Sequence, residues 1–580
     1  MVPALRWLRS YNSQTFSSDL IAAIIVSIML IPQSLAYALL AGLPAEVGLY
    51  ASILPLAVYA IFGSSSTLSV GPVAIASLMT AAAVGEVAAA GQYSVTAAAV
   101  TLAGLSGGML MIFGFLRLGF LANFLSHTVV SAFITASAII IALSQLRHLL
   151  GVNAGGDTLG EILHSLLVAM PTLNLPTLTL GGGVLVFLFL VRSQGVRILS
   201  ALGLSAFQAQ LCAKVAPVLA VIATIALTST LQLESRGVAV VGDIPSGLPA
   251  LAMPQLSIEL LQTLWLPALL ISIIGYVESV SVGRTLGGKR QERIDPDQEL
   301  IGLGTANVAS ALSGGLPVTG GFSRSVVNFD AGAVTQAASL MTALFIGLVS
   351  LFFTPLLYAL PKATLAATII VAVIALVDFH VIKQTWKVSK SDTAAVLVTM
   401  LFTLGFGVEA GVSCGILVSL SLHLYRTSKP HIAEVGLLPG TQHFRNVRRH
   451  SVETDPQVLS LRVDESLFFA NANYLEDYIY KAVLFAEPTS ETKASPENEI
   501  SQVILMCTAV NEIDFTALET LEAINHRLQQ QDITLHLSEV KGPVMDMLKR
   551  TDFLQKLNGK IYLSQFEAFN ETRGVTAADG

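Results

Sequence analysis

Charged residues are scarce in this 580-residue chain, in which Asp, Glu, Lys and Arg together make up 12% of the sequence. A soluble protein has about twice that fraction, so most of the chain is expected to face lipid. Hydrophobic residues account for 53% of the sequence. Length and composition therefore indicate a membrane protein with room for a second domain.

Cysteine is also rare, because Cys212, Cys414 and Cys507 are the full set and have no paired spacing. This favours neither a disulfide framework nor a metal site. No basic stretch interleaved with aromatic residues indicates nucleic-acid binding, and no motif combines a nucleophile, a base and an orienting group. We therefore expect no enzyme activity, no cofactor, no metal and no nucleic-acid partner.

Long uncharged runs dominate the first three quarters of the chain. Five runs without Asp, Glu, Lys or Arg are 20–40, 55–80, 95–116, 215–233 and 333–360. Further apolar segments are 120–146, 178–191, 262–284, 297–313, 363–378, 393–408 and 409–427. A membrane helix needs about 20 apolar residues. Fitting the runs to this length predicts about fourteen membrane segments, two of them short.

Basic residues between these segments predict the orientation of the chain. If the number of spans is even, they fall on one face, which the positive-inside rule makes cytoplasmic. They are Arg6, Arg9, Arg117, Arg192, Arg197, Lys289, Arg290, Arg293, Lys383, Lys387, Arg426 and Lys429. We therefore expect both termini in the cytoplasm, with the protein in a plasma membrane of the bacterial inner-membrane type.

Composition changes near Lys429, after which charged residues are frequent and no run is long enough to span a bilayer. Apolar strand patterns alternate with helical ones from there, which predicts a soluble α/β domain. The predicted domains are a transmembrane domain at 1–429, a linker at 430–454, a soluble domain at 455–570 and a disordered tail at 571–580. Segment 487–499, rich in Pro, Ser, Thr and charge, is expected to form a mobile loop.

Two breaks containing glycine interrupt the apolar pattern. SVGPVAIASLM (69–79) and TGGFSRSVVNF (319–329) each lead into a short apolar helix, in the third segment of each half. Paired breaks in corresponding positions predict a transporter built of two repeats, with its substrate between them. Because seven spans per repeat is an odd number, the repeats should be inverted.

A broken helix exposes N–H groups that carry roughly half a positive charge and can hold an anion. If both breaks meet within the membrane, Val73, Ala74, Ser323 and Arg324 form a small positive pocket. Arginine suits an oxyanion because its fork of donors stays charged. The alternative is that Arg324 reaches the interface or pairs with Asp330, and that Ser323 is only a helix cap.

Glu278 is a second charge within a predicted span. A carboxylate in such surroundings favours its neutral form and can take up a proton at physiological pH; the alternative is a permanent ion pair with an arginine. Gln33 and Tyr37 lie four residues apart, on one face of the first span after Pro32. They can offer an amide and a phenol to the same site, although helix-to-helix hydrogen bonds fit the spacing equally well.

Four segments, in the right order, resemble the sulfate permease (SulP) family with a STAS domain. They are PQSLAYALLAGLPAEVGLY (32–50), SVGPVAIASLM, GGFSRSVVN and, for the STAS domain, NEIDFTALETLEAI (511–524). The resemblance implies a polytopic α-helical membrane protein with 14 transmembrane segments as 7+7 inverted repeats, in which a core moves against a gate. It also implies a cytoplasmic α/β STAS domain and suggests a homodimer in membrane lipid.

The same resemblance places an anion between the third and tenth spans, beside the first and eighth. It nominates Gln33, Tyr37, Val73, Glu278, Phe322, Ser323 and Arg324. Bicarbonate members tend to carry Asp at the Glu278 position with Thr one turn later, where this chain has Val282. The chain is more similar to proton-coupled sulfate members.

We therefore expect secondary active, proton-coupled sulfate symport by alternating access. The alternatives are sodium-coupled bicarbonate transport, dicarboxylate (fumarate or succinate) transport, and an anion exchanger or channel of the same fold. In the STAS-like domain, Cys507 stands where an acidic residue is common, which slightly weakens a nucleotide or phosphorylation role. Asp514 and Thr516 are expected to cap the next helix, with regulation through Thr516 as the alternative.

Overall fold

The computed structural model describes residues 3–89, 91, 93–123, 127–156, 158–201, 203, 205–255, 257–484 and 500–573. The chain divides into two compact units, Met1–Ser419 and Leu420–Gly580. The segment 487–499, expected to be a mobile loop, lies outside the described residues. So do residues 574–580 of the predicted tail.

Within the described residues, the first unit is helical apart from two strands of two residues each, and its last helix continues past Ser419 into the second unit. Its helices are α1 (Ala4–Arg9), α2 (Ser13–Leu40), α3 (Ala45–Tyr50), α4 (Leu54–Phe62), α5 (Ala74–Ala89), α6 (Val95–Phe115), α7 (His127–Leu150), α8 (Leu159–Ala169), α9 (Leu175–Leu190), α10 (Val196–Ala201), α11 (Ala206–Thr230), α12 (Ile258–Lys289), α13 (Pro296–Leu312), α14 (Phe322–Asp330), α15 (Ala337–Phe352), α16 (Lys362–Ile374), α17 (His380–Val388), α18 (Lys390–Phe406) and α19 (Val408–Ser428). The strands are β1 (Val70–Gly71) and β2 (Thr319–Gly320).

Several of these helices have the length and composition of membrane spans. Among the described residues, seven helices are long and apolar enough to cross a bilayer, and shorter apolar helices such as α5, α15 and α16 accompany them. The polytopic helical fold is therefore as expected. The number of fourteen spans is consistent with these helices and stays a prediction.

Helix contacts in the first unit repeat between its two halves. Helix α2 packs on α14 as α12 packs on α5, α4 packs on α15 as α13 packs on α6, and α7 packs on α18 as α16 packs on α9. Each of these contacts thus has an equivalent when α2, α4, α5, α6, α7 and α9 are exchanged for α12, α13, α14, α15, α16 and α18. This is the contact pattern of two equivalent repeats.

The two strands show the relative direction of the repeats. They pair antiparallel, with Val70 opposite Gly320 and Gly71 opposite Thr319. Strand β1 leads directly into α5, and β2 leads directly into α14. The two short helices therefore leave the strand pair in opposite directions, as inverted repeats require.

A fully buried carboxylate ties the start of α2 to the second half. The Asp19 Oδ1 atom accepts hydrogen bonds from the backbone N–H groups of Val334 at 2.6 Å and Thr335 at 3.1 Å. Its Oδ2 atom accepts one from the Thr335 hydroxyl at 2.6 Å. Since these donors satisfy the buried charge, Asp19 anchors the chain just before α15.

The second unit is an α/β domain with one six-stranded sheet. Its strands are β3 (Ile432–Leu437), β4 (Phe444–Asn446), β5 (Val458–Val463), β6 (Gln502–Met506), β7 (Thr534–Ser538) and β8 (Ile561–Tyr562), in the order β4-β3-β5-β6-β7-β8. Its helices are α20 (Ala472–Leu484), α21 (Phe515–Gln529), α22 (Gly542–Leu548), α23 (Phe553–Lys556) and α24 (Gln565–Thr572). Strands β5 to β8 are parallel, and β3 runs antiparallel to both β4 and β5.

The segment 430–454, expected to be a linker, instead supplies β3 and β4 to this sheet. Ile432, Ala433, Val435 and Leu437 are buried there, so the segment contributes to the domain core. Its short apolar run, followed by the turn residues of 439–442, has too few residues for a clear strand pattern. Helix α24 likewise includes residues 571 and 572 of the predicted tail.

Candidate functional site

The two helix breaks meet where β1 pairs with β2. In α5 the first helical hydrogen bond joins the Ser77 N–H to the Val73 carbonyl at 2.9 Å, and in α14 the Ser325 N–H bonds the Gly321 carbonyl at 3.1 Å. The N–H groups of the preceding turn have no partner within their own helix. Two positive helix ends therefore lie side by side.

A small cavity lies at these helix ends. It is lined by Gln33, Tyr37, Val73, Ala74, Ile75, Glu278, Gly321, Phe322, Ser323, Arg324, Ala372, Val373 and Leu376. The structure therefore brings together all the residues predicted to bind substrate and the predicted proton-coupling residue. Their roles stay predictions.

Arg324 is buried at this cavity with only 2% of its surface exposed. Its Nη1 atom is buried and has no hydrogen-bond partner among the residues that the structure describes. Among the described residues, Glu278 interacts with Arg324 through its charge, and no ion pair within 4 Å joins the two side chains. A buried guanidinium N–H without an acceptor is costly, so the arrangement suits an anionic ligand.

Two glycines make room for this side chain. A Cβ atom on Gly71 would collide with the Arg324 Nη1 atom, and one on Gly321 would lie 2.8 Å from the Nε atom. Neither glycine has a positive φ angle, so space for the guanidinium explains both. Both breaks thus contribute to the position of one arginine.

Glu278 and Tyr37 lie close enough to Arg324 for their charges to interact with it. Glu278 comes from α12 and Tyr37 from α2. The carboxylate therefore offsets the arginine charge without binding it directly. A change in the charge of Glu278 would alter the electrostatic potential at the Arg324 guanidinium.

Two larger cavities flank this site. The N-side cavity, so named because it meets α2 nearer the start of that helix than the C-side cavity does, has a volume of 460 Å³ and is lined by Met29, Pro32, Gln33, Leu188, Val191, Arg192, Val196, Ala213, Ala216, Pro217, Ser323, Asp330, Thr368, Val371 and Ala372. The C-side cavity has a volume of 240 Å³ and is lined by Leu40, Ala41, Gly42, Leu78, Ala81, Val84, Gly85, Val95, Leu143, Ser144, Arg147, Ala154, Gly155, Gly156, Ile162 and Leu166. The N-side cavity shares Gln33, Ser323 and Ala372 with the site, and the C-side cavity shares no described lining residue with it.

Two buried serines that the sequence analysis did not select hold the strand pair in place. The Ser325 hydroxyl accepts the Ser69 N–H at 3.0 Å and donates to the Gly321 carbonyl at 2.7 Å. The Ser279 hydroxyl, next to Glu278, accepts the Gly320 N–H at 2.8 Å. These bonds satisfy backbone groups that the breaks would leave unpaired.

Three buried amides extend this support. The Asn307 side chain accepts the Val318 N–H at 2.9 Å and donates to the Val318 carbonyl at 2.8 Å. Asn328 donates to the Thr67 carbonyl at 3.1 Å, and Gln336 donates to the carbonyls of Ser65 and Leu68. In the sequence these residues stand out only as amides in or beside the predicted spans, which equally fits ordinary helix packing.

Thr516 belongs to the second unit, whereas the residues of this site belong to the first. It is an exposed residue in the first turn of α21. The N-cap of that helix is Asp514, whose side chain accepts the Ala517 N–H at 2.8 Å. The capping role expected of Asp514 is therefore confirmed, and Thr516 makes no side-chain cap bond among the described residues.

Inverted helical repeats, paired broken helices and a polar cavity between them define a polytopic membrane transporter. The sequence agrees with this class, since residues 16–399 match the model of the Sulfate permease family and residues 449–568 match the STAS domain. The chain therefore belongs to the sulfate permease family.

Relatives that align over most of both chains support this membership. The chain is 35% identical over 558 residues to Sulfate transporter 4.1, chloroplastic, of Arabidopsis thaliana, covering 96% of this chain and 80% of that protein. It is 30% identical over 585 residues to High affinity sulfate transporter 2 of Stylosanthes hamata, covering 99% and 87%.

Solved structures share the fold. Murine Solute Carrier 26 family member A9, an anion transporter, aligns with a TM-score of 0.88 at 22% identity and covers 99% of this chain and 94% of its own. The transmembrane domain of the cyanobacterial bicarbonate transporter BicA aligns with a TM-score of 0.58 at 23% identity, over 71% and 98%. The second comparison concerns the membrane unit alone.

Proposed function

We propose that this protein is a secondary active transporter that carries sulfate together with a proton. The observation that carries the proposal is the buried Arg324 guanidinium, with an unpartnered Nη1 atom between two helix ends. Sulfate has two charges and four oxygens, so it can accept hydrogen bonds from the arginine and from both helix ends. The names of the plant relatives support the same substrate.

Glu278 is the proposed proton carrier. With Arg324 charged and Glu278 ionised, the two side chains cancel, and bound sulfate leaves a charge of about −2 on the loaded site. Protonation of Glu278 lowers that to about −1. Because a smaller net charge costs less to move through a low-dielectric region, proton uptake would favour movement of the loaded core.

Alternating access is the proposed mode of transport. The N-side cavity reaches the site through Gln33, Ser323 and Ala372, whereas the C-side cavity does not share its walls. When the core moves against the gate, the site would lose its opening to the N-side cavity and gain one to the C-side cavity. We further propose that the N-side faces the cytoplasm, as the positive-inside rule predicts, and that the protein works as a homodimer in a plasma membrane.

A transport panel tests the substrate and the coupling. Purified protein in liposomes would be given labelled sulfate, bicarbonate, fumarate or chloride, with and without pH and sodium gradients. We expect sulfate uptake that an inward proton gradient drives. Sodium-driven bicarbonate uptake, fumarate uptake, or flux that ignores both gradients would instead favour the bicarbonate, dicarboxylate or exchanger and channel alternatives.

Two variants test the residues. Arg324→Ala should abolish sulfate flux while the purified protein keeps its size-exclusion profile; normal flux in this variant would contradict the proposed site. Glu278→Gln should uncouple flux from the proton gradient, because the amide cannot be ionised. Unchanged pH dependence would remove Glu278 from the coupling role.

A further inference from the structure

Arg147 and Arg192 are cationic side chains at the two flanking cavities, outside the site described above. Arg147 lines the C-side cavity and Arg192 lines the N-side cavity. Each is the sole Lys or Arg among the described residues around its cavity. We propose that they form two waiting sites for a small oxyanion, one on each side of Arg324, an inference that rests on the proposed transport function.

The fold places the two arginines in related surroundings. The C-side cavity lies between α5 and α7, and the N-side cavity lies between α14 and α16. These helix pairs correspond in the two repeats. Because α5 and α14 start at the site and run in opposite directions, each cavity lies along a path that leads away from the site on its own side.

Each guanidinium is held by a backbone carbonyl and keeps donors for a ligand. Arg147 donates from Nη1 to the Ala154 carbonyl at 3.3 Å and from Nε to His148 Nε2 at 3.2 Å. Arg192 follows α9 in a π-helical turn and donates from Nη1 to the Val371 carbonyl at 2.7 Å. A guanidinium has five N–H donors, so these bonds fix its position and leave the others for an oxyanion.

The volumes and charges of the cavities also suit an anion. At 240 and 460 Å³, both cavities have room for an oxyanion with part of its water shell, so binding there does not require full dehydration. Asp330 also lines the N-side cavity and adds an acidic side chain to its wall, whereas no Asp or Glu is among the described lining of the C-side cavity. The waiting site at Arg147 should therefore be the stronger of the two.

Sided flux tests the proposal, and each variant serves as the control for the other. Labelled sulfate uptake would be measured in intact cells and in inverted membrane vesicles. Arg147→Gln should raise KM from the C-side by roughly 3- to 10-fold, the size of one partly screened charge interaction, with KM from the N-side unchanged. Arg192→Gln should raise KM from the N-side by a smaller factor and leave KM from the C-side unchanged. Equal shifts from both sides, or none, would overturn the proposal.

Two further variants separate binding from other causes. Arg147→Lys keeps the charge but loses the paired donors that bond Ala154 and His148. If the charge attracts the anion, KM from the C-side should stay close to the wild-type value. A KM increase as large as that of Arg147→Gln would indicate a structural role only. Lys362→Gln removes a basic side chain whose charge interacts with His148 but which does not line the cavity. If Lys362→Gln changed KM as much as Arg147→Gln does, the basic residues would attract the anion only in a general way, and Arg147 would not form a binding site.

A chemical probe tests the C-side cavity independently of transport. Ser144→Cys places a thiol in its wall, in a background without the three native cysteines. We expect a sulfonate-bearing methanethiosulfonate to react faster than its trimethylammonium counterpart, and Arg147→Gln to remove that preference. An unchanged ratio would contradict the waiting site even if Arg324→Ala had abolished flux from both sides. Normal flux in Arg324→Ala would instead contradict the central site.

Discussion

Arg324 shows what single residues contribute to this site and how far the sequence reveals it. A charge within an apolar segment already marked this position, because such a charge usually has a function. The sequence did not show that Gly71, more than 200 positions earlier, makes room for its guanidinium. It also gave no clear sign of Ser279 or Ser325, whose hydroxyls accept the backbone N–H groups of the strand pair.

A prediction at this scale concerns Gly71. In Gly71→Ala the new methyl group would displace the Arg324 guanidinium, and loss of one charged hydrogen bond corresponds to about 10- to 100-fold weaker anion binding. We expect KM for sulfate to rise accordingly. The matched control is Gly108→Ala in α6, since no atom lies within 4 Å of the added Cβ position and Gly108 is not among the described lining of the three cavities. Equal KM values for the two variants would show that the space beside Arg324 is unimportant.

Cys507 allows a prediction about pH in the soluble unit. Burial, with a smaller contribution from the charge of Glu539, raises the pKa of this thiol to about 12. At pH 8 the reactive thiolate is then roughly one molecule in ten thousand. We expect iodoacetamide to leave Cys507 unmodified at pH 8 unless the domain is unfolded. Mass spectrometry with and without denaturant checks this, and rapid labelling of the folded domain would contradict it.

The paired breaks are the elements on which the site depends. Their existence and position were predictable, because Gly71, Pro72 and the glycines at 320 and 321 interrupt an otherwise continuous apolar pattern. Their hydrogen bonding to each other was not, since the register of a two-residue strand depends on groups far along the chain. Glycine and proline thus revealed where the helices are interrupted but not which groups form hydrogen bonds with the backbone there.

Removing the Ser325 hydroxyl tests how these elements are held. Ser325→Ala leaves the buried Ser69 N–H without an acceptor, which costs roughly 1–3 kcal/mol. We expect a lower melting temperature in detergent and reduced flux. In Ser27→Ala the lost hydroxyl bonds only the Ala23 carbonyl of its own helix, so a change below about 1 kcal/mol is expected. A larger loss in the Ser27 variant would argue against a special role for Ser325.

Strand β3 provides another test at this scale. It covers the edge of β5 and contributes buried side chains to the sheet. A fragment of residues 430–580 should therefore melt cooperatively, whereas 455–580 exposes the β5 edge and should be less stable and prone to associate. Thermal circular dichroism and light scattering compare the two. Equal stability would show that β3 and β4 are dispensable, as the linker prediction implied.

For the whole molecule, composition and hydropathy were enough to predict a helical membrane unit followed by an α/β domain. The inverted arrangement also followed from the sequence, because it needs only two breaks in corresponding positions and an odd number of spans per repeat. The linker was predicted wrongly, since short strands among turn residues resemble loop sequence. The cavities could not be predicted, because they depend on how helices from both halves pack around the core.

The pairing of β1 with β2 also bears on how the chain is made. Gly320 is 250 positions after Val70, since 320 − 70 = 250. At about 5–20 residues per second, synthesis of that interval takes roughly 12–50 s. Until then the polar backbone around Gly71 lacks its partner strand in a medium that offers few hydrogen bonds. The first half of this protein must therefore stay in the membrane with backbone hydrogen bonds around Gly71 still unmade. A chain that stops before Thr319 should be recognised and degraded.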